Sequence, residues 1–302
     1  MHILWSNLRA ILAVFFFITT GAGAFTLSSP VPADLQQVLA APETQWRDPV
    51  EEVYRWESFP DILIIDTASF SIQDRMFTRL AYFTEKKGFR GRLLTNAELD
   101  GRHGWNAHDY GAEALSAFFN AAAAAGFPMN PEEIALRALA VDECILREES
   151  GRFLPAKGGV LALCRSSSAI ERRLLLAHES FHGIFFSSEE YRQFCFTLWD
   201  SLPTSDRAFY RAFLDSLGYD AADRYLVVNE FQAYLMQQPL DYAASYFERF
   251  MKRFAEEGSP RAITAQRLLQ SARALDQFLR NAFGISAGGT ILASLGKAES
   301  AQ

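Results

Sequence analysis

Two histidines four residues apart, with a glutamate directly after the first, stand out in His178-Glu179-Ser180-Phe181-His182. On a helix, positions i and i+4 share a face, so both imidazoles can grip one metal ion, and zinc suits this pattern. Glu179 then falls beside the ion, where a carboxylate serves as a general base. The flanks, Leu174-Leu175-Leu176-Ala177 and Gly183-Ile184-Phe185-Phe186, are uncharged and free of Pro, so the segment is expected to be a helix packed inside a core. Burying an unpaired carboxylate there costs several kcal/mol, which a cation would offset. The plainer alternative is a core helix whose histidines bond to nearby backbone.

Catalytic zinc normally takes three protein ligands and leaves a fourth position to water. Phe185 and Ser188 stand where a Gly and a third His would extend the motif, and no His follows His182. The third ligand is therefore expected to be a carboxylate. Glu230 stands apart because it lies in Leu226-Val227-Val228-Asn229-Glu230-Phe231-Gln232-Ala233-Tyr234-Leu235, a helical run otherwise mostly apolar. Glu189, Glu190, Asp206, Asp223, Glu256 and Glu257 sit among polar residues and read as solvated. Asp200, after Leu198-Trp199, is the competitor, and a buried Glu230 paired with an Arg or Tyr is the bland reading.

With these residues the chain resembles the zincin metallopeptidases of the gluzincin type, in which a His-Glu-x-x-His helix is completed by a Glu on a later helix. The resemblance implies His178, His182 and Glu230 as ligands of one Zn2+ per chain and Glu179 as base. The 48 positions from His182 to Glu230 are closer to the long spacing of lethal-factor-like members than to thermolysin-like ones. Asn229-Glu230-x-x-Ala233 also looks like the pattern of several such families. The resemblance spans residues 60 to 240 in organisation and about ten residues in motif.

Zinc on two neutral imidazoles and one carboxylate keeps positive charge and acidifies water; Glu179 would take the proton and pass it to a leaving amine. Donors to the developing oxyanion are expected from Tyr225, Tyr234 or the histidines of an upstream loop. That loop, Asp100-Gly101-Arg102-His103-Gly104-Trp105-Asn106-Ala107-His108-Asp109-Tyr110-Gly111, is the second concentration of functional types and suits a segment closing over a cleft. His108 is the chosen candidate in it. A second metal site of His103, His108 and Asp109 is conceivable, and the bland reading has Asp109 capping a helix near Gly111 over a packed Trp105.

The elements that must position these groups follow from patterning. Phe59 to Thr67 reads as a buried strand, Ser71 to Lys86 as an amphipathic helix and Arg90 to Leu94 as a strand. Helices are expected over 111–125 and 131–139, then a hairpin of Ala140 to Glu148 with Gly151 to Pro155. Gly158 to Arg165 is the candidate exposed edge for an extended peptide. Helices follow near 188–201, 204–217, 222–238, 241–257 and 260–283. Phe247, Phe250 and Phe254 form a stripe that reads as bundle core.

The fold class expected is α+β: a zincin-like metal domain with a small mixed sheet over 59–186, then a helical domain over 187–283 supplying the third ligand. Residues 25–58 read as an arm or linker, with Pro30, Pro32 and Pro42 spoiling regular structure, and 284–302 as a loose tail. Residues 1–24, an apolar block followed by Ala22-Gly23-Ala24, read as a cleavable signal peptide. The protein is thus expected to be periplasmic or secreted, without stable membrane insertion after cleavage. A net charge of −7 and no basic stripe argue against nucleic acid as a partner. Of three cysteines, Cys144 and Cys164 could form a disulfide, leaving Cys195 buried or free; three free core thiols are the alternative.

These expectations converge on a zinc-dependent peptidase acting on a peptide or protein, of unknown oligomeric state. From another class comes a non-catalytic, zinc-stabilised peptide-binding protein in which His108 or Asp200 closes the fourth position. An amidase acting on a cell-wall amide is the third possibility.

Overall fold

The computed structural model describes residues 25–254 and 261–289, and side chains within them except over 250–254 and 261–264. The first half comprises β1 (Val31–Ala33), α1 (Leu35–Ala40), β2 (Glu51–Trp56), β3 (Ile62–Thr67), α2 (Phe70–Thr84), α3 (Asn96–Leu99), β4 (His108–Gly111), α4 (Ala112–Ala124) and α5 (Pro131–Asp142). Then come β5 (Leu146–Glu149), β6 (Arg152–Pro155), β7 (Gly159–Cys164), α6 (Ala169–Ser187), α7 (Glu189–Ser201), α8 (Thr204–Leu217), α9 (Arg224–Met236), α10 (Leu240–Phe254) and α11 (Arg261–Phe283). The fold is α+β.

Five strands make one mixed sheet in the order β1-β2-β3-β7-β4, with β1 and β2 parallel, β3 and β7 parallel, and the other two pairs antiparallel. Every residue of β3 and β7 is buried, as expected of strands covered on both faces. Alternation sorts their side chains. Ile62, Ile64, Leu161 and Leu163 join the core under α6 and the later helices, while Leu63, Ile65, Val160 and Ala162 join the core under α2, α4 and α5.

Residues 31–56, expected as an arm, instead supply β1, α1 and β2. The charged start of β2 conceals it: Glu51 accepts from Ser28 N and Oγ, and Glu52 is bound by Arg47, so both acids are buried yet paired. Gly158 to Arg165 is not the sheet edge. β7 lies between β3 and β4, and β4, expected as loop, is the terminal strand. Residues 90 and 91 end a turn and 92 to 94 are irregular, so no strand forms there. The hairpin forms as β5 and β6, its turn taking φ 52° at Ser150 and 74° at Gly151, while 140–142 end α5. At the start of the expected tail, Ala287 is buried and its N–H donates to Asp276.

Cys144, Cys164 and Cys195 are all unpaired. Cys144 is exposed in a left-handed turn, whereas Cys164 ends β7 and accepts from Ser166 N. Phe247 is a core residue, and Phe250 and Phe254 lie outside the described side chains. The expected signal segment lies outside the described residues, among which no helix is long and apolar enough to cross a membrane.

Two devices seat α6 on the sheet. Ser168 caps it in a reciprocal box with Glu171, and Arg172 one turn on grips buried Asp66 of β3 through two 2.7 Å bonds. Further along, a Cβ at Gly183 would meet Ile62 and Trp56 at 3.3 Å, so the missing side chain lets the helix lie close. His182 therefore stands directly over the strands.

Candidate metal centre

α6 and α9 face each other across the sheet-side core, and their facing sides carry the polar groups. His178, Glu179 and His182 come from α6, and Glu230 from the middle of α9; all four are buried. His178 Nε2 lies 3.1 Å from His182 Nε2 and 3.4 Å from Glu230 Oε2, and His182 Nε2 lies 3.9 Å from that same oxygen. Tetrahedral zinc with ligands at about 2.0–2.2 Å requires donor-to-donor edges of roughly 3.3–3.5 Å. The three observed edges bracket that value.

The protons are arranged for such an ion. His178 Nδ1 is 2.9 Å from Gln237 Oε1, whose own amide donates to Gln238, so Nδ1 carries the hydrogen and Nε2 presents its lone pair. His182 Nδ1 faces Asp109 Oδ2 at 3.5 Å, and Asn229 Nδ2 donates to that oxygen at 3.3 Å. His178 Nε2, His182 Nε2 and Glu230 Oε2 thus converge on one point, and Glu230 Oε2 accepts no well-directed hydrogen bond there. A cation seated among them would satisfy all three at once.

The surrounding charges point the same way. Burial, opposed by His178 and helped by Glu230, pushes Glu179 up to about 8, and burial with Glu230 pushes Glu85 up to about 8. Burial and then Glu179 hold Asp109 well above the usual carboxylate range. His182 is pulled down to about 4, first by burial, with Glu230 opposing and His178 adding to it. For His178 burial opposes the charge, yet the hydrogen bond and field of Glu230 prevail and raise it. Buried carboxyls crowded against one another are what a divalent cation relieves. Besides His178, His182 and Glu230, the atoms of Asp109, Glu179 and His182 also lie within 4.8 Å of one another.

Glu179 opens onto a cleft of about 500 Å³ walled by the 103–107 segment, Tyr219, Tyr234 and Gln237. Its Oε2 has no partner. The Tyr234 ring stands 4.6 Å from that of His178 and lines the cleft. Tyr225 is not: it is half exposed against Phe185 and Phe196, because position 225 falls on another side of α9 from 230 and 234. His108 is likewise displaced. In β4 it pairs in register with Ala162 while Asp109 pairs with Leu161, so alternation sends His108 into the opposite core. There it stacks on Phe77 and bonds Tyr110 Oη at 2.9 Å.

The upstream loop therefore contributes differently from expectation. Asp109, not His108, reaches the metal side; it does not cap α4, whose N-cap is Gly111 without a side-chain bond. His103 pairs with Asp74 at the rim, so His103, His108 and Asp109 do not form a second site. Trp105 stacks on Tyr219, with centroids 4.7 Å apart, and donates to Glu85 at 2.7 Å. Asp200 is exposed and paired with Arg224, away from the centre.

Glu85 and Tyr219 escape sequence reading. Glu85 heads the charged triplet Glu85-Lys86-Lys87, which reads as solvated, but it is the C-cap residue of α2, where the chain turns inward. Tyr219 follows the left-handed Gly218 that ends α8, and Gly218 was the available signal.

Asp109 has a testable part. Asp109→Asn should lower zinc affinity about 10- to 100-fold, the usual consequence of losing a carboxylate behind a metal-bound imidazole, with little change in metal-free folding. Competition titration against a zinc chelator measures it, and unchanged affinity would leave Asp109 with no part in holding His182.

No protein-family model, curated protein or solved structure matches this chain.

Proposed function

We propose that this chain is a zinc-dependent hydrolase of peptide bonds, with the gluzincin-type arrangement of His178, His182 and Glu230 around the metal and Glu179 as general base. The observation that carries this reading is the triangle of His178 Nε2, His182 Nε2 and Glu230 Oε2, 3.1, 3.4 and 3.9 Å on its edges, beside Glu179, which lines a cleft. Zinc bound there would supply Lewis acidity toward water and a substrate carbonyl.

The chain's own residues do the rest. Glu179 takes a proton from water in the cleft and returns it to the leaving amine, a task suited to a carboxyl whose surroundings raise it toward neutrality. Gln237 and Asp109 orient the two imidazoles. Tyr234, beside His178, presents a phenol to the cleft and is the residue placed to donate to a developing oxyanion. The segment 104–107 leads into terminal strand β4 along the same cleft, so an extended peptide would add its main chain there.

The binding-protein reading would need a donor other than His108 or Asp200, which stand elsewhere, to close the fourth position, such as Asp109 or Glu179 beside His182. Hydrolysis of unfolded casein by the zinc-loaded chain is the direct test. Cleavage is expected, abolished by a chelator and restored by about one equivalent of zinc. A zinc-loaded chain that cleaves neither casein nor a library of short peptides would sink the peptidase reading.

A further inference from the structure

Away from the metal centre, a second cavity of about 440 Å³ opens between α1 and the first turns of α6. Three arginines wall it, Arg165, Arg172 and Arg173. Two acids oppose them: Asp66, already bound by both Arg165 and Arg172, and Glu43 on the rim. Arg173 has no ion pair or hydrogen bond among the described residues, so a guanidinium is left without a counter-charge.

Its position makes that more costly. The N-terminus of a helix carries partial positive charge, which disfavours cations close to it. Yet Arg172 and Arg173 stand four and five residues after the N-cap Ser168 and share a face with Ala169. Independently, Ser167 on the cavity wall is 6% exposed and its Oγ has no partner, and the buried Arg165 Nε has none either. The first-turn N–H groups of Ala169 and Ile170 have no intrahelical acceptor. Ser167 Oγ, Arg165 Nε and these N–H groups can all donate. Leu39 and Ala40 line the other wall and would cover an apolar substituent.

We propose that this cavity binds a small organic oxyanion, a phosphate monoester or a carboxylate, held by Arg173, Arg165, Ser167 and the first turn of α6. The ligand geometry is that of an anion at a helix N-terminus, with the guanidinium of Arg173 closing over it. This site is independent of what the metal centre hydrolyses.

Titration calorimetry of the zinc-loaded full chain with phenyl phosphate, inorganic phosphate and benzoate tests it. Saturable one-to-one binding is expected, with phenyl phosphate tighter than inorganic phosphate. Tighter phenyl phosphate than benzoate assigns a phosphate ester, and the reverse order a carboxylate. Arg173→Met should weaken binding at least about tenfold, as loss of a charged hydrogen-bonding partner implies. Since Arg173 holds no described contact, the variant's melting temperature without ligand should match the parent's, and its zinc content should not change. Ser167→Ala should weaken binding by a smaller factor. Absence of binding to about 10 mM, far weaker than a built site provides, would overturn the proposal. So would affinity unaltered by Arg173→Met but lost in His182→Ala, which would place the anion on the metal.

Discussion

Glu179→Gln is expected to keep about one zinc per chain while lowering peptide hydrolysis by about 10²- to 10⁴-fold, the usual share of a positioned base. That factor corresponds to roughly 2.7–5.5 kcal/mol of activation free energy. The separation of the two outcomes rests on geometry: Glu179 is outside the triangle of His178, His182 and Glu230, and its Oε2 is unpartnered beside the cleft. Glutamine has the same shape, so the helix keeps its packing. What it lacks is the ability to accept and return a proton. Zinc analysis alongside turnover of a cleaved peptide decides the matter. Full turnover with zinc in place would remove Glu179 as the base; loss of zinc would make it a ligand, for which its grouping with Asp109 and His182 is the structural alternative.

The same comparison shows what a chain of this kind discloses before it folds. The helices are nearly all legible, because their periodicity, caps and breakers are local: Ser168 with Glu171, Asn130 with Pro131 and Glu133, and Gly218 after Leu217 each mark a boundary that the structure keeps. Glu230 is legible for a related reason, since an acid in an apolar helical run must find a partner. Strands are harder. β4 is four residues long, and whether His108 or Asp109 faces His182 depends on its phase against β7, which only the sheet decides. β2 hides behind Glu51 and Glu52, acids buried by partners at distant positions. Glu85 hides behind two lysines. In each case the deciding contact is non-local.

Those contacts also explain why the centre is costly to hold without an ion. Glu85, Asp109, Glu179 and Glu230 reach it from α2, β4, α6 and α9, and the nearby Lys86 is turned away over the Trp105 ring, donating to Gly104 O. A fold that brought four carboxyls to two histidines only to bury them would sacrifice stability for nothing. With a divalent cation the same crowding becomes affinity.

The largest loss of metal should follow from His182→Ala and Glu230→Gln, and the pair together separates a zinc centre from a buried hydrogen-bond network. A zinc site in a folding peptide is worth about 10–16 kcal/mol over four donors, so one donor accounts for roughly 3–4 kcal/mol, a loss of 10²- to 10³-fold in affinity. His182→Ala should exceed this, because His182 belongs to both groups of candidate ligands and Asp109 loses the imidazole it faces. It also leaves a cavity in a fully buried position, so metal-free stability should fall by a few kcal/mol. Glu230→Gln keeps the volume but removes the charge paired with His178, so the metal-free variant should melt somewhat lower than the metal-free parent, and zinc, which should raise the melting temperature of the parent, should raise that of the variant far less. A network without metal predicts that zinc leaves the melting temperature of the parent unchanged, and that Glu230→Gln acts only by weakening its 3.4 Å pair with His178. Melting curves with and without zinc for parent and both variants distinguish the two, and zinc retained by both variants would move the metal away from α6 and α9 altogether.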